Sequence, residues 1–174
     1  VGLIGHSEGG MTGPMLAAQD DDIAFVIMLA GPGISARDIL LAQGRTGYES
    51  AGASGAVLDE LLALHAAALE AAGAEPDVLT AAVRALLEAQ LALIGQPMRE
   101  DQLAAHVAVF QSPWFQSFVQ LDPADYLPGV KAPVLALIGA LDVQVPPGSN
   151  LPALQAHVAA HPAAPAPPRD GPTH

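Results

Sequence analysis

Three apolar runs without charge stand out along the chain: Val1-Gly2-Leu3-Ile4, Ile23 to Ala30, and Val134 to Ile138. The second lies between Asp20-Asp21-Asp22 and Gly31-Pro32-Gly33, and its length and flanks predict a strand buried on both faces, as in a parallel sheet. The third is entered through Ala132-Pro133 and left at Gly139. Between the first two runs, the Ala- and Met-rich stretch Gly9 to Gln19 predicts a crossover helix, with Gly13-Pro14 weakening its first turn.

From about Ile34 to Leu121 the period changes. Val57, Leu58, Leu61, Leu62, Leu64, His65 and Leu69 recur at spacings of three and four, with Gly73 as a stop. Pro76-Asp77 opens a second such run through Val78, Leu79, Val83, Leu86, Leu87, Leu91, Leu93 and Ile94, ended by Gly95 and Pro97, and a third runs from Arg99 to about Phe110. The three share no fixed period or signature, so they are not a repeat. A last helix is expected over Leu151 to Ala160, followed by the proline-rich stretch His161 to His174, whose composition favours extended chain over a packed core. Strand, helix, strand, helical insertion, strand, helix is an α/β pattern with a mostly parallel sheet. The organisation expected is a core segment over residues 1–33, a helical cap over 34–121, a second core segment over 122–160 and a tail over 161–174. Because Val1 already stands inside a strand-like run, and one short strand cannot bury itself, the chain reads as the later part of a larger α/β domain.

Composition narrows the classes of function. Of 174 residues, 51% are hydrophobic and 14% charged, and 18 Asp and Glu against 6 Lys and Arg give a formal net charge of -12. That balance leaves no basic stripe to neutralise phosphates and argues against nucleic acid and acidic membranes as partners. No apolar run approaches the roughly 20 residues of a membrane span. With no cysteine there is no disulfide framework, thiolate metal site or thiol nucleophile. The first ten residues lack the features of a secretory signal, so the expected location is cytoplasmic. Nucleotide and metal signatures such as G-x-x-x-x-G-K-[ST], G-x-G-x-x-G and H-E-x-x-H are absent, so no cofactor is expected.

One motif points to chemistry. Gly5-His6-Ser7-Glu8-Gly9-Gly10 falls where the first strand ends and the first helix begins. G-x-S-x-G in that place is a nucleophile elbow: a sharp turn lifts the serine hydroxyl above the sheet edge, and the flanking glycines leave room for crowded backbone. The structural alternative is a Gly-rich turn with an incidental serine. Asp142 comes just past the third strand, at the carboxyl edge where open α/β sheets bind ligands, and there a carboxylate could orient a histidine base. Its alternative is a loop carboxylate capping a turn.

Together with Leu29-Ala30-Gly31-Pro32-Gly33, Ser112-Pro113-Trp114-Phe115, Gly139-Ala140-Leu141-Asp142-Val143-Gln144-Val145-Pro146-Pro147 and Asn150-Leu151-Pro152-Ala153, the elbow resembles bacterial α/β-hydrolase carboxylesterases related to the serine aminopeptidase group. The resemblance extends to about Ala160. It implies a partial α/β-hydrolase fold with an inserted helical cap, and hydrolysis of a small-molecule ester through an acyl-enzyme, with Ser7 as nucleophile and Asp142 as the acid of the triad. His174, 32 residues after Asp142, stands at about the family's spacing for the base, although Ala163-Ala164-Pro165-Ala166-Pro167-Pro168 replaces the apolar strand the family has before it. His6 is a poor base because its equivalent packs beside the elbow. His65 and His106 read as helix-surface or cap residues, and His157 and His161 come too soon after Asp142. The backbone N–H of Glu8 would be one oxyanion donor. The other belongs to a loop expected before Val1, so the chain as given is expected to be crippled in catalysis. Trp114, Phe115 and Phe118 are candidate pocket walls, with core packing as their alternative. Acyl transfer or peptide-bond cleavage on the same fold, and a non-catalytic remnant or binding module, stay open, as does the oligomeric state.

Overall fold

The computed structural model describes residues 1–159; the Pro-rich tail and His174 lie outside the described residues. The described chain is a mixed α/β structure with a small parallel sheet and many helices. In order it forms β1 (Gly2–His6), α1 (Gly9–Ala17), β2 (Phe25–Leu29), α2 (Ala36–Ser50), α3 (Gly55–Glu70), α4 (Pro76–Leu93), α5 (Glu100–Gln111), α6 (Pro113–Phe118), two single 3₁₀ turns (Pro123–Asp125 and Leu127–Gly129), β3 (Val134–Leu137) and α7 (Pro147–Ala159). It divides into two compact units. One comprises Val1–Gly33, Pro123–Gly139 and the described residues from Gly148 on; the other comprises Ile34–Asp122 and Ala140–Pro147.

In the first unit the strands lie in the order β1-β2-β3, all parallel. Strictly in-register pairing aligns Leu3, Val26 and Val134 in one row and Gly5, Met28 and Ala136 in another, on the same face two residues apart. This face is covered: Val26 and Met28 pack with Ala17 of α1, Leu154 of α7, and Leu127 and Val130 from the segment before β3. The other face carries the rows Ile4, Ile27, Leu135 and His6, Leu29, Leu137. Ile4 is 67% exposed, and Leu135 and Leu137 are each 51% exposed. The charge-free sequence of β2 predicted burial on both faces; the structure corrects this, because the unit's described helices cover one face alone. Phe25 folds its ring over Gly2 on the open face, where a Cβ would meet the ring at 2.1 Å.

β2 is shorter than its apolar run. At its start Asp20 caps a turn, its side-chain Oδ1 accepting from the Asp22 N–H at 2.9 Å and its carbonyl from the Ile23 N–H. At its end Ala30 adopts φ of 48° and turns the chain away.

The second unit is a helical layer around Leu61, Leu79, Val83, Leu86, Leu87, Leu103, Phe110 and Phe115. Gly95, at φ of 66°, follows the C-cap of α4 as a left-handed residue, Gly73, at 86°, lies two residues past the C-cap of α3, and Pro76 starts α4 at the position where a missing N–H costs least. The sequence pattern did not single out α2, whose apolar spacing is broken by Gly44, Gly47 and charged residues. Its start is fixed locally: the Ser35 hydroxyl accepts from the Asp38 N–H at 3.1 Å and donates to the Asp38 carboxylate at 2.8 Å. The Arg84 guanidinium grips both oxygens of Glu100 at 2.9 and 3.0 Å, tying α4 to α5 and holding the Glu100 carboxyl below its ordinary range. Among the described residues, no helix is long and apolar enough to cross a membrane.

Candidate active site

The turn from β1 into α1 has no spare room. A Cβ on Gly5 would stand 1.9 Å from the Gly9 carbonyl oxygen, and one on Gly10 would stand 2.6 Å from the Cα of Gly31. Glycine at both positions lets the first turn of α1 press against the ends of β1 and β2. Ser7, between them, has φ of 53°, a left-handed conformation that costs a non-glycine residue on the order of 1 kcal/mol and persists only when its surroundings hold it. They do: the Ser7 N–H donates to the Leu29 carbonyl at 2.9 Å, and the Ser7 carbonyl accepts from the Gly10 N–H at 2.8 Å. The result is an exposed serine at the carboxyl edge of the sheet, where α1 begins. Glu8 follows as the N-cap of α1, so its backbone stands at the positive end of that helix.

A second left-handed residue, Ala30, ends the neighbouring strand, with its N–H donating to the Leu137 carbonyl at 2.7 Å. Beyond it, Asn150 is fully buried, and its side-chain oxygen accepts from the Gly33 N–H at 2.8 Å, securing the Gly31–Gly33 loop to α7. In the sequence both residues stand within stretches that carry the family resemblance, but neither the conformation of Ala30 nor the burial of Asn150 is marked there. An apolar run that stops at Ala-Gly-Pro-Gly is the only signal Ala30 leaves.

Asp142 lies in the turn that follows β3, and that turn groups with the helical unit. Its Oδ1 accepts from the N–H groups of Gln144 and Val145, each at 2.9 Å. The carboxylate therefore caps its own turn, the alternative set against the triad role, and the turn in return fixes the carboxylate's direction through one oxygen. Gln43 of α2 donates to the Gln144 carbonyl at 3.1 Å and steadies the same turn.

The three aromatic candidates divide. Phe115 is buried in the helical core, 4.6 Å between ring centroids from Phe110. Trp114, 54% exposed, stacks on Phe118 at 5.4 Å with 13° between the planes. His6 is exposed on the open sheet face, and His106 is exposed with Nδ1 2.8 Å from the Gln102 carbonyl. His65 is not a surface residue: it is half-buried and 3.0 Å from the Tyr48 hydroxyl. His174, the candidate base, lies outside the described residues. Two surface depressions are lined by Val57, Glu60, Leu61, Ala89, Ala92 and Leu93 and by residues around Asp21 and Lys131; neither lining includes Ser7, Glu8 or Asp142. Among the described residues, no three His, Asp or Glu side chains gather as metal ligands.

No protein-family model matches this chain, and no curated protein matches it. Among solved structures, the crystal structure of VinJ is similar at a TM-score of 0.43 and 21% identity, over 92% of this chain and 54% of that one. The chain thus spans about half the length of that protein.

Proposed function

We propose that this chain carries the nucleophile of a serine hydrolase of the α/β-hydrolase type, acting on carboxylic esters of small or apolar acyl groups. The observation that supports this best is the conformation of Ser7: a left-handed, exposed serine at a strand-to-helix turn, its N–H held by the Leu29 carbonyl, in a turn so tight that Gly5 stands against the Gly9 carbonyl. An incidental serine in a Gly-rich turn has no need of that strain.

In this reading the Ser7 Oγ attacks the ester carbonyl while a histidine base takes its proton. The Glu8 N–H, at the start of α1, steadies the charge developing on the carbonyl oxygen. The carbonyl reforms as the alkoxide leaves with the proton returned by the base, and water then hydrolyses the acyl-enzyme by the same route. Asp142 holds the base in its productive tautomer through the oxygen opposite the one its turn engages, and His174 is the base. Trp114 and Phe118 offer a flat apolar surface to an acyl group.

Turnover of p-nitrophenyl esters of increasing acyl length is the direct test. Turnover is expected to be slow and to depend on Ser7, with Ser7→Ala reduced to the uncatalysed background. Equal turnover by both would refute the assignment, and faster cleavage of aminoacyl anilides than of esters would move the substrate class to amides.

A further inference from the structure

The helical unit contains a polar chain that no part of the proposed reaction uses. Tyr48 of α2 is buried, and its hydroxyl accepts from Gln90 Nε2 of α4 at 2.8 Å and lies 3.0 Å from His65 Nδ1 of α3. The two rings also meet edge to face, 6.0 Å apart at 66°. Three helices are joined by two hydrogen bonds through one hydroxyl, inside a layer whose other buried residues are Leu, Ala, Val and Phe. Space has been made for it: a Cβ on Gly44 would stand 2.5 Å from His65 Nδ1, so α2 keeps a glycine in its interior, where alanine is favoured by about 1 kcal/mol.

One assignment of protons places every donor in the chain. With Gln90 donating to the Tyr48 oxygen, the Tyr48 O–H has its own proton to place, and His65 Nδ1 takes it. Nδ1 is then the bare nitrogen, and His65 is the neutral tautomer protonated on Nε2. A proton added at Nδ1 would turn a second donor onto the Tyr48 oxygen and leave the phenolic proton without its acceptor. Among the described residues, the charged groups of the helices packed against His65 turn elsewhere. From α2 the titratable group facing the imidazole is Tyr48 itself; Arg37 turns instead to Glu70 and the Ala66 carbonyl, Asp38 to Ser35, and Arg45 to Glu49. From α4 the facing group is the neutral Gln90, while Arg84 turns to Glu88 and Glu100.

We propose that the Tyr48–His65–Gln90 chain is a pH-sensitive latch, closed onto α2, α3 and α4 while His65 is neutral and opened when it is protonated. Burial lowers the His65 pKa from its ordinary value of 6.5, in keeping with the cost of charging it there. The sign follows. With the folded pKa depressed, the unfolded chain binds the extra proton first, so stability is complete above 6.5 and falls as pH drops from 6.5 toward the lower folded value.

The test compares the full chain with His65→Gln, which can still accept from Tyr48 but does not titrate. Between about pH 7.5 and pH 5 the thermal midpoint of the wild type should fall by roughly 2 to 4 °C more than that of H65Q. If H65Q does not fold, the wild type alone decides. ¹⁵N NMR should show His65 protonated on Nε2 at neutral pH, and hydrogen-exchange protection around Tyr48 should fall with the same midpoint as His65 protonation. Parallel acid responses of wild type and H65Q, the outcome if the Gln90 amide turns over to accommodate the imidazolium, would overturn the latch. So would an Nδ1-protonated tautomer at neutral pH, or protection at Tyr48 that ignores the His65 titration.

Discussion

At the scale of single residues, the informative positions are those held in uncommon conformations or deprived of space. Ser7 and Ala30 are the two non-glycine residues with positive φ among the described residues, and both end strands at the carboxyl edge of the sheet. The serine was legible because G-x-S-x-G fixes residue types at fixed spacing around a strand end. Ala30 was not, because an alanine leaves no mark of the dihedral it adopts. Asp142 could be located but its local task could not, since capping depends on where the Gln144 and Val145 N–H groups point. Gly5 gives a prediction at this scale. In Gly5→Ala the new methyl would meet the Gly9 carbonyl and push α1 away from β1, costing on the order of 1–3 kcal/mol by overpacking. Urea unfolding should show that loss together with a reduced rate of Ser7 acylation; an unchanged midpoint would mean the turn has more slack than its geometry indicates.

Elements were legible wherever one period dominates. The three strands follow the three apolar runs, and α3, α4 and α5 follow their three- and four-residue spacings and end at Glu70, Leu93 and Gln111, the first two shortly before the left-handed Gly73 and Gly95. α2 was not, because its buried residues are only Ala36, Ile39 and Tyr48, and much of its attachment is polar. Its position is set by the Ser35 cap and by Tyr48 reaching two other helices, a tertiary arrangement that no spacing encodes. Likewise, nothing in the sequence around His65 separates a buried hydrogen-bonding imidazole from one facing water. α7 begins at Pro147, four residues before the apolar positions that predicted it, since proline fits a first turn without loss. If the Ser35 cap anchors α2, Ser35→Ala should lower stability by about 1 kcal/mol in chemical denaturation. A change of a few tenths would assign the anchoring to Tyr48 instead.

Across the whole molecule, each strand run supplied enough apolar residues for two faces, and the described structure uses one. Ile4, Leu29, Leu135 and Leu137 form a contiguous exposed patch on parallel strands, and β1 and β3 are the outer strands of the described sheet. Apolar surface of that kind next to unpaired strand edges favours association. The net charge of -12 opposes it through mutual repulsion, and salt screens repulsion while leaving apolar attraction intact. Sedimentation velocity should therefore show association that grows with protein concentration and with salt, and that weakens in Leu135→Lys. A monomer at all concentrations and salt levels would show that this face is covered in solution.

If Ser7 is the activated nucleophile proposed above, covalent labelling reads it without reference to any substrate. The native protein would be treated with a fluorophosphonate, digested, and the adduct located by mass spectrometry. Modification is expected at Ser7, absent from Ser7→Ala and from protein unfolded in urea before treatment. An adduct spread over the other serines, or labelling at Ser7 that persists after unfolding, would contradict it.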